Sequence, residues 1–174
     1  MSFPDYLDDT ESNAYAHEIG WVCIHWRWLE FLIESALLHL LTLPQNDDAG
    51  HCVMVESDIR AKSRMLKSIG FIKRPSDEWY ERLERLINSI DNDLRPKRND
   101  IVHGLWTHDG RQPLLTRGVS KVIRPQSHQR SFKRAEYAYP SETGMRAFND
   151  TLLATLDQLQ ELMHEIPGWA DAIA

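Results

Sequence analysis

The sequence predicts an all-α fold, an antiparallel bundle of four or five helices with a small β-hairpin inserted late in the chain. Three observations carry this reading. Long stretches set apolar residues at steps of three and four. Proline, glycine and capping residues punctuate those stretches. One segment, residues 105–125, loses helical periodicity and reads as hairpin and loop. The 174 residues contain no internal repeat and no Pro/Gly/Ser linker, so they make one domain, 1–174.

Residues 1–12 are polar and acidic and read as a flexible arm. A helix follows over residues 13–43. Trp21, Ile24, Trp28, Phe31, Leu32, Ser35 and Leu38 mark one face of it. Val22, Leu29, Ile33, Leu37 and Leu40 mark a second, and Glu30 and Glu34 form a narrow acidic ridge between. So wide an apolar surface needs more than one neighbour: the helix is central, or its outer side meets another subunit. Pro44 ends it, and residues 45–50 read as a loop.

A second helix is expected over residues 54–69, stopped by Gly70. Ile59, Met65, Leu66 and Ile69 face inward. Arg60, Lys62, Arg64 and Lys67 make it basic, as a solvated face or as a phosphate-contacting rim. The third helix opens at Ser76, a good N-cap, with Asp77 and Glu78 suiting the dipole of its first turn. Trp79, Leu83, Leu86, Ile87, Ile90 and Leu94 form its apolar stripe, and Glu78–Arg82 and Glu81–Arg85 are favourable pairs. It ends or kinks at Pro96. The last helix covers residues 142–166, with Ser141 as its cap. Met145, Phe148, Leu152, Leu156, Leu159, Met163 and Ile166 make a heptad-like seam, and Pro167-Gly168 stops it.

Composition narrows the function classes. A formal net charge of −6 argues against a general nucleic-acid coat. The charge is uneven, however. Residues 111–134 hold no carboxylate, while Arg117, Lys121 and Arg124 are among their cations; in the first 48 residues Arg27 stands alone against many carboxylates. The basic segment could bind phosphates or dock the acidic half of a partner chain. Cys23 and Cys52 have neither metal nor disulfide spacing. No signal peptide or membrane-length apolar run is legible, so the expected location is cytoplasmic. No cofactor loop is present and no structural zinc set, since His103 and His108 lack a nearby cysteine. His25 reads as a core or interface histidine.

Polar chemistry concentrates in Arg95-Pro96-Lys97-Arg98-Asn99-Asp100-Ile101-Val102-His103-Gly104. With Pro96 opening a short helix, Arg95, Asn99 and His103 form one row. Arg98 lies five before His103, about 140° around at roughly 100° per residue. Either the arginine curls across, or a second copy of the chain faces the first. As a bland alternative, His103 caps the last turn and Arg98 pairs with a carboxylate.

The stretch resembles the R-x4-6-H signature of HEPN domains, as Arg98-x4-His103 followed through by the polar Asn99. The resemblance implies a helical, dimeric, metal-independent RNase that needs no cofactor, its motif pair facing across a cleft. It also implies RNA as substrate, and an antitoxin protein or a phage-defence setting as partner and context. In such a site His103 would move protons, Arg98 would hold the phosphorane charge, and Asn99 would orient either. Arg95, Lys97, Arg117, Lys121 and Arg124 would contact RNA phosphates. Some HEPN domains have lost activity, so a non-catalytic module binding nucleotide, RNA or protein is the second expectation, and a purely structural helical dimer the third.

Overall fold

The computed structural model describes residues 10–43, 48–103, 105–108, 113–117, 135–136 and 142–169. These residues are mostly helical. Helix α1 runs Thr10–Leu40, α2 Asp48–Glu56, α3 Ile59–Lys73, α4 Asp77–Ser89, a π-helical turn Ile90–Leu94, α5 Arg95–His103 and α6 Glu142–His164. Among the described residues, three short strands lie between α5 and α6. Strand β1, Leu105–His108, pairs antiparallel with β2, Pro113–Arg117, with Leu105 opposite Thr116. Strand β3, Ala135–Glu136, flanks β2. Of the expected arm over residues 1–12, residues 10–12 instead open α1; residues 1–9, and Pro44, Gly104 and Ser141, lie outside the described residues.

Helix α1 packs along α6, α3 and α5, and α4 bridges α3 and α6. Val22, Leu29, Ile33, Leu37 and Leu40 are buried, as expected of the second face of α1. The first face divides. Leu32, Ser35 and Leu38 are buried, whereas Trp21, Ile24, Trp28 and Phe31 stay 41, 46, 59 and 47 % exposed.

Helix α1 stops three residues earlier than Pro44 suggests. Thr42 turns to φ 59°, its N–H donates to the His39 carbonyl at 2.9 Å, and the Leu43 N–H donates to the Leu38 carbonyl at 2.9 Å. This is a Schellman end, which usually takes glycine at the left-handed position; a threonine there leaves no mark in the sequence.

The expected single helix over residues 54–69 is two. Helix α2 begins inside the predicted loop. Asp58 breaks the pair and caps α3, accepting from the Ala61 N–H at 2.7 Å. Gly70 is not a stop, because α3 continues to Lys73. A Cβ at Gly70 would meet Leu83 Cδ2 at 2.6 Å, so this glycine serves the close approach of α4. Lys62 is not part of a solvated face: it is buried and donates to Glu34 at 2.6 Å.

Helix α4 matches its sequence pattern closely. Ser76 caps it, accepting from the Trp79 N–H at 3.1 Å, and its whole expected stripe is buried. The Trp79 indole N–H donates to the Leu162 carbonyl at 2.7 Å and ties α4 to α6. Glu81 and Arg85 pair at 3.8 Å. Arg82 does not take Glu78; both Glu165 oxygens accept from it at 2.6 Å, and this pairing raises the guanidinium pKa further. Helix α6 ends at His164, before Ile166, and the chain turns at Gly168 (φ 78°) to bury Trp169 edge-on to His39.

Candidate functional site

Pro96 sits at the second position of α5, where a regular helix approaching from α4 would drive its ring against the carbonyl four residues back. The π-helical turn Ile90–Leu94 removes that conflict. Its wider register lets the Arg95 N–H donate to the Ile90 carbonyl, five residues back, and the chain passes the proline without a break. Such turns recur at functional sites. Ile101 is buried and Val102 half-buried, which anchors α5 to the core.

With that anchor set, Arg98 is half-buried and His103 exposed. The arginine curls along its own helix. Its Nη1 lies 3.2 Å from His103 Nε2 and donates to Asn99 Oδ1 at 3.1 Å. Of the two routes open from the spacing, this contact follows the first. The guanidinium carbon stands 5.6 Å from the ring centroid of Trp26 on α1, a cation–π distance. Trp26 is itself held by its indole N–H donating to Glu30 at 2.8 Å.

A guanidinium can only donate. His103 Nε2 must therefore accept, which requires the neutral imidazole with its hydrogen on Nδ1. Both Nη1 hydrogens are then engaged within the motif. Among the described residues, the Nη2 edge carries no hydrogen bond, and Nε is buried without one. The cluster thus joins a proton acceptor to a fixed cation with one free donor edge.

The other expected site residues distribute differently. Arg95 leaves the row with Asn99 and His103 and turns back to Asp91, its Nη2 donating to the Asp91 carbonyl at 3.1 Å and its Nε 3.8 Å from Oδ1. Lys97 is exposed on α5. Arg117 ends β2; Lys121 and Arg124 lie outside the described residues. Sequence reasoning missed Trp26, for which no local signal exists. It also missed Asp91, which the i, i+4 spacing to Arg95 could have found. Burial of Asp91 pushes its carboxyl pKa above the ordinary 3.8, although Arg95, Arg60, Lys67 and Arg64 all draw it down.

His25 is a buried core histidine. It meets Asn149 Oδ1 at 3.3 Å and stacks on Trp21, while the Asn149 amide donates to Glu18 at 2.8 Å. A cleft of about 470 Å³ between α4 and α6, lined by Arg82, Leu86, Thr151 and Gln158 among others, includes none of the motif residues. Among the described residues, no three His, Cys, Asp or Glu side chains gather as metal ligands, and no helix is long and apolar enough to cross a membrane. Comparison with protein-family models, with curated proteins and with solved structures finds no match.

Proposed function

We propose that this chain is a HEPN-like, metal-independent endoribonuclease acting as a homodimer and leaving 2′,3′-cyclic phosphate ends. The observation that supports it best is the 3.2 Å contact between Arg98 and His103 with Asn99 beside them. RNA carries its own nucleophile. His103 takes the 2′-hydroxyl proton, the oxygen attacks the adjacent phosphorus, and the 5′-oxygen leaves with a proton returned to it. Arg98 offers its free donor edge to the phosphorane oxygens. The phosphate also draws the guanidinium off His103 Nε2 and frees the lone pair that accepts the proton.

The fold reading that accompanies this is an antiparallel four- or five-helix bundle carrying a hairpin insertion over residues 105–125. The exposed Trp21, Ile24, Trp28 and Phe31 run along the helix that carries Trp26. Such a strip is suited to an interface, and we assign it to contact with a second copy of the chain. Light scattering at micromolar concentration should show a dimer, and Trp28→Glu should give a monomer. A cytoplasmic setting and an antitoxin partner belong to the same proposal.

One observation favours a non-catalytic binding module instead: the Arg98 N–H occupies the lone pair that a general base needs. In that reading the contact persists when RNA binds. The two separate when labelled RNA is incubated with the protein in EDTA. The nuclease cleaves it and the His103→Ala variant does not; binding without cleavage by the wild type selects the module.

A further inference from the structure

We infer that Arg60, Arg64 and Lys67 of α3, with Arg95 at the start of α5, form a second anion-binding surface that takes the phosphodiester backbone of single-stranded RNA. This rests on the ribonuclease reading and extends its substrate path beyond the Arg98–His103 pair.

The surface is built by two helices. Residues 60, 64 and 67 stand at i, i+4 and i+7 and share one face of α3. At 1.5 Å per residue they cover roughly 10 Å, and a nucleic-acid strand advances about 3.4 Å per phosphate in a duplex, so the row spans about three phosphate steps. Lys67 donates to Asn88 at 3.0 Å and lies 3.6 Å from Glu84, which fixes the row against α4. Arg95 joins from the other side through Asp91. Of the four, Arg95 contacts Asp91 directly, and the charges of Arg60, Arg64 and Lys67 also draw its carboxyl pKa down against the effect of burial.

Half of their charge is unspent. Four cations meet two carboxylates, Asp91 and Glu84. Among the described residues, Arg60 and Arg64 have no carboxylate at ion-pair distance, and the Arg64 Nε donates only weakly to the Arg60 carbonyl at 3.4 Å. Lys62 on the opposite side of α3 shows the contrast, being buried and neutralised by Glu34 at 2.6 Å. A local excess of positive charge on a chain of net charge −6 selects a polyanion. Arg95 and Arg98 are one turn apart on α5, so a strand that reaches Arg95 arrives beside the motif.

The test uses the full chain in a His103→Ala background, so that RNA stays intact. Anisotropy of labelled single-stranded RNA is read between roughly 50 and 200 mM salt. The variant Arg60→Gln, Arg64→Gln, Lys67→Gln should bind at least about tenfold more weakly, and its slope of log affinity on log salt should shrink by about 2, near 0.7 per lost phosphate contact. Arg64→Lys should keep the parent slope, because it keeps the charge. If the triple variant does not fold, each single Gln variant should lose about 0.7 of slope. An unchanged slope and affinity, or no RNA binding by the parent, would overturn the surface. Polyglutamate displacing RNA as well as unlabelled RNA does would overturn it in favour of an acidic protein partner. The two proposals fail separately. A reduced slope in a protein whose wild type never cleaves RNA keeps the surface and removes the nuclease; cleavage with an unchanged slope removes the surface alone.

Discussion

Lys62 Nζ on α3 donates to Glu34 Oε1 on α1 at 2.6 Å, with the two side chains 7 and 13 % exposed. Arg27 reaches the same oxygen from the solvent side at 3.3 Å. The pair fixes the register of α3 on α1. Lys62→Met should cost roughly 3 kcal/mol, at the low end for breaking a buried pair, because Arg27 still serves Glu34. Lys62→Met with Glu34→Leu should cost less than Lys62→Met alone. Urea unfolding measures both; strictly additive losses would mean that the two charges do not depend on each other.

Thr42 closes α1 at φ 59°, a conformation that crowds the Cβ of an L residue and disfavours β-branched side chains most. Its hydroxyl bonds locally, to the Leu41 carbonyl at 2.6 Å. Thr42→Gly should therefore raise stability by about 1 kcal/mol, read as a higher melting temperature. A lower one would show that the hydroxyl contact outweighs the backbone relief.

Asp91 supplies a pH dependence. Its folded pKa lies above the ordinary 3.8 because burial disfavours the charged form. The native state then holds more protons than the unfolded state in the window above 3.8, so this group makes stability fall as pH rises through that window. Above the folded pKa the penalty is full; below 3.8 it is absent. Asp91→Asn removes it. The stability of Asp91→Asn relative to wild type should be higher at pH 7 than at pH 3, by denaturant unfolding at each pH. The opposite trend would show that the charges of Arg95, Arg60, Lys67 and Arg64 outweigh burial.

Arg98 and His103 should fail in different ways. His103→Ala should abolish RNA cleavage and leave binding nearly intact, because its contribution belongs to the transition state. Arg98→Ala should lose cleavage and some binding. Arg98→Lys should not restore full activity, since the charge stays but the fork is lost. Melting temperatures should remain close to wild type. Large stability losses in both variants of a parent without RNase activity would make the pair a structural clamp over Trp26.

What the chain's own sequence determined is short-ranged. The Ser76 cap and the buried stripe from Trp79 to Leu94 depend on periodicity and on groups within one turn, and stand in the structure as their spacing implies; the seam of α6 does so from Met145 to Met163 except at half-buried Leu156, the helix ending before Ile166. The motif around Arg98 was legible as a concentration of chemistry. Its geometry was not, because on a regular helix Arg98 and His103 diverge by about 140°. The curl that joins them runs beside Trp26 of a different helix. Glycine reads the same whether it ends a helix or admits a neighbour, and Leu83 of α4 made Gly70 the second. Lysine at a helical surface reads as solvated until the facing helix is known. Burial of Lys62 required Glu34 opposite it, and which side chains stand opposite is a property of packing that no spacing along one helix encodes.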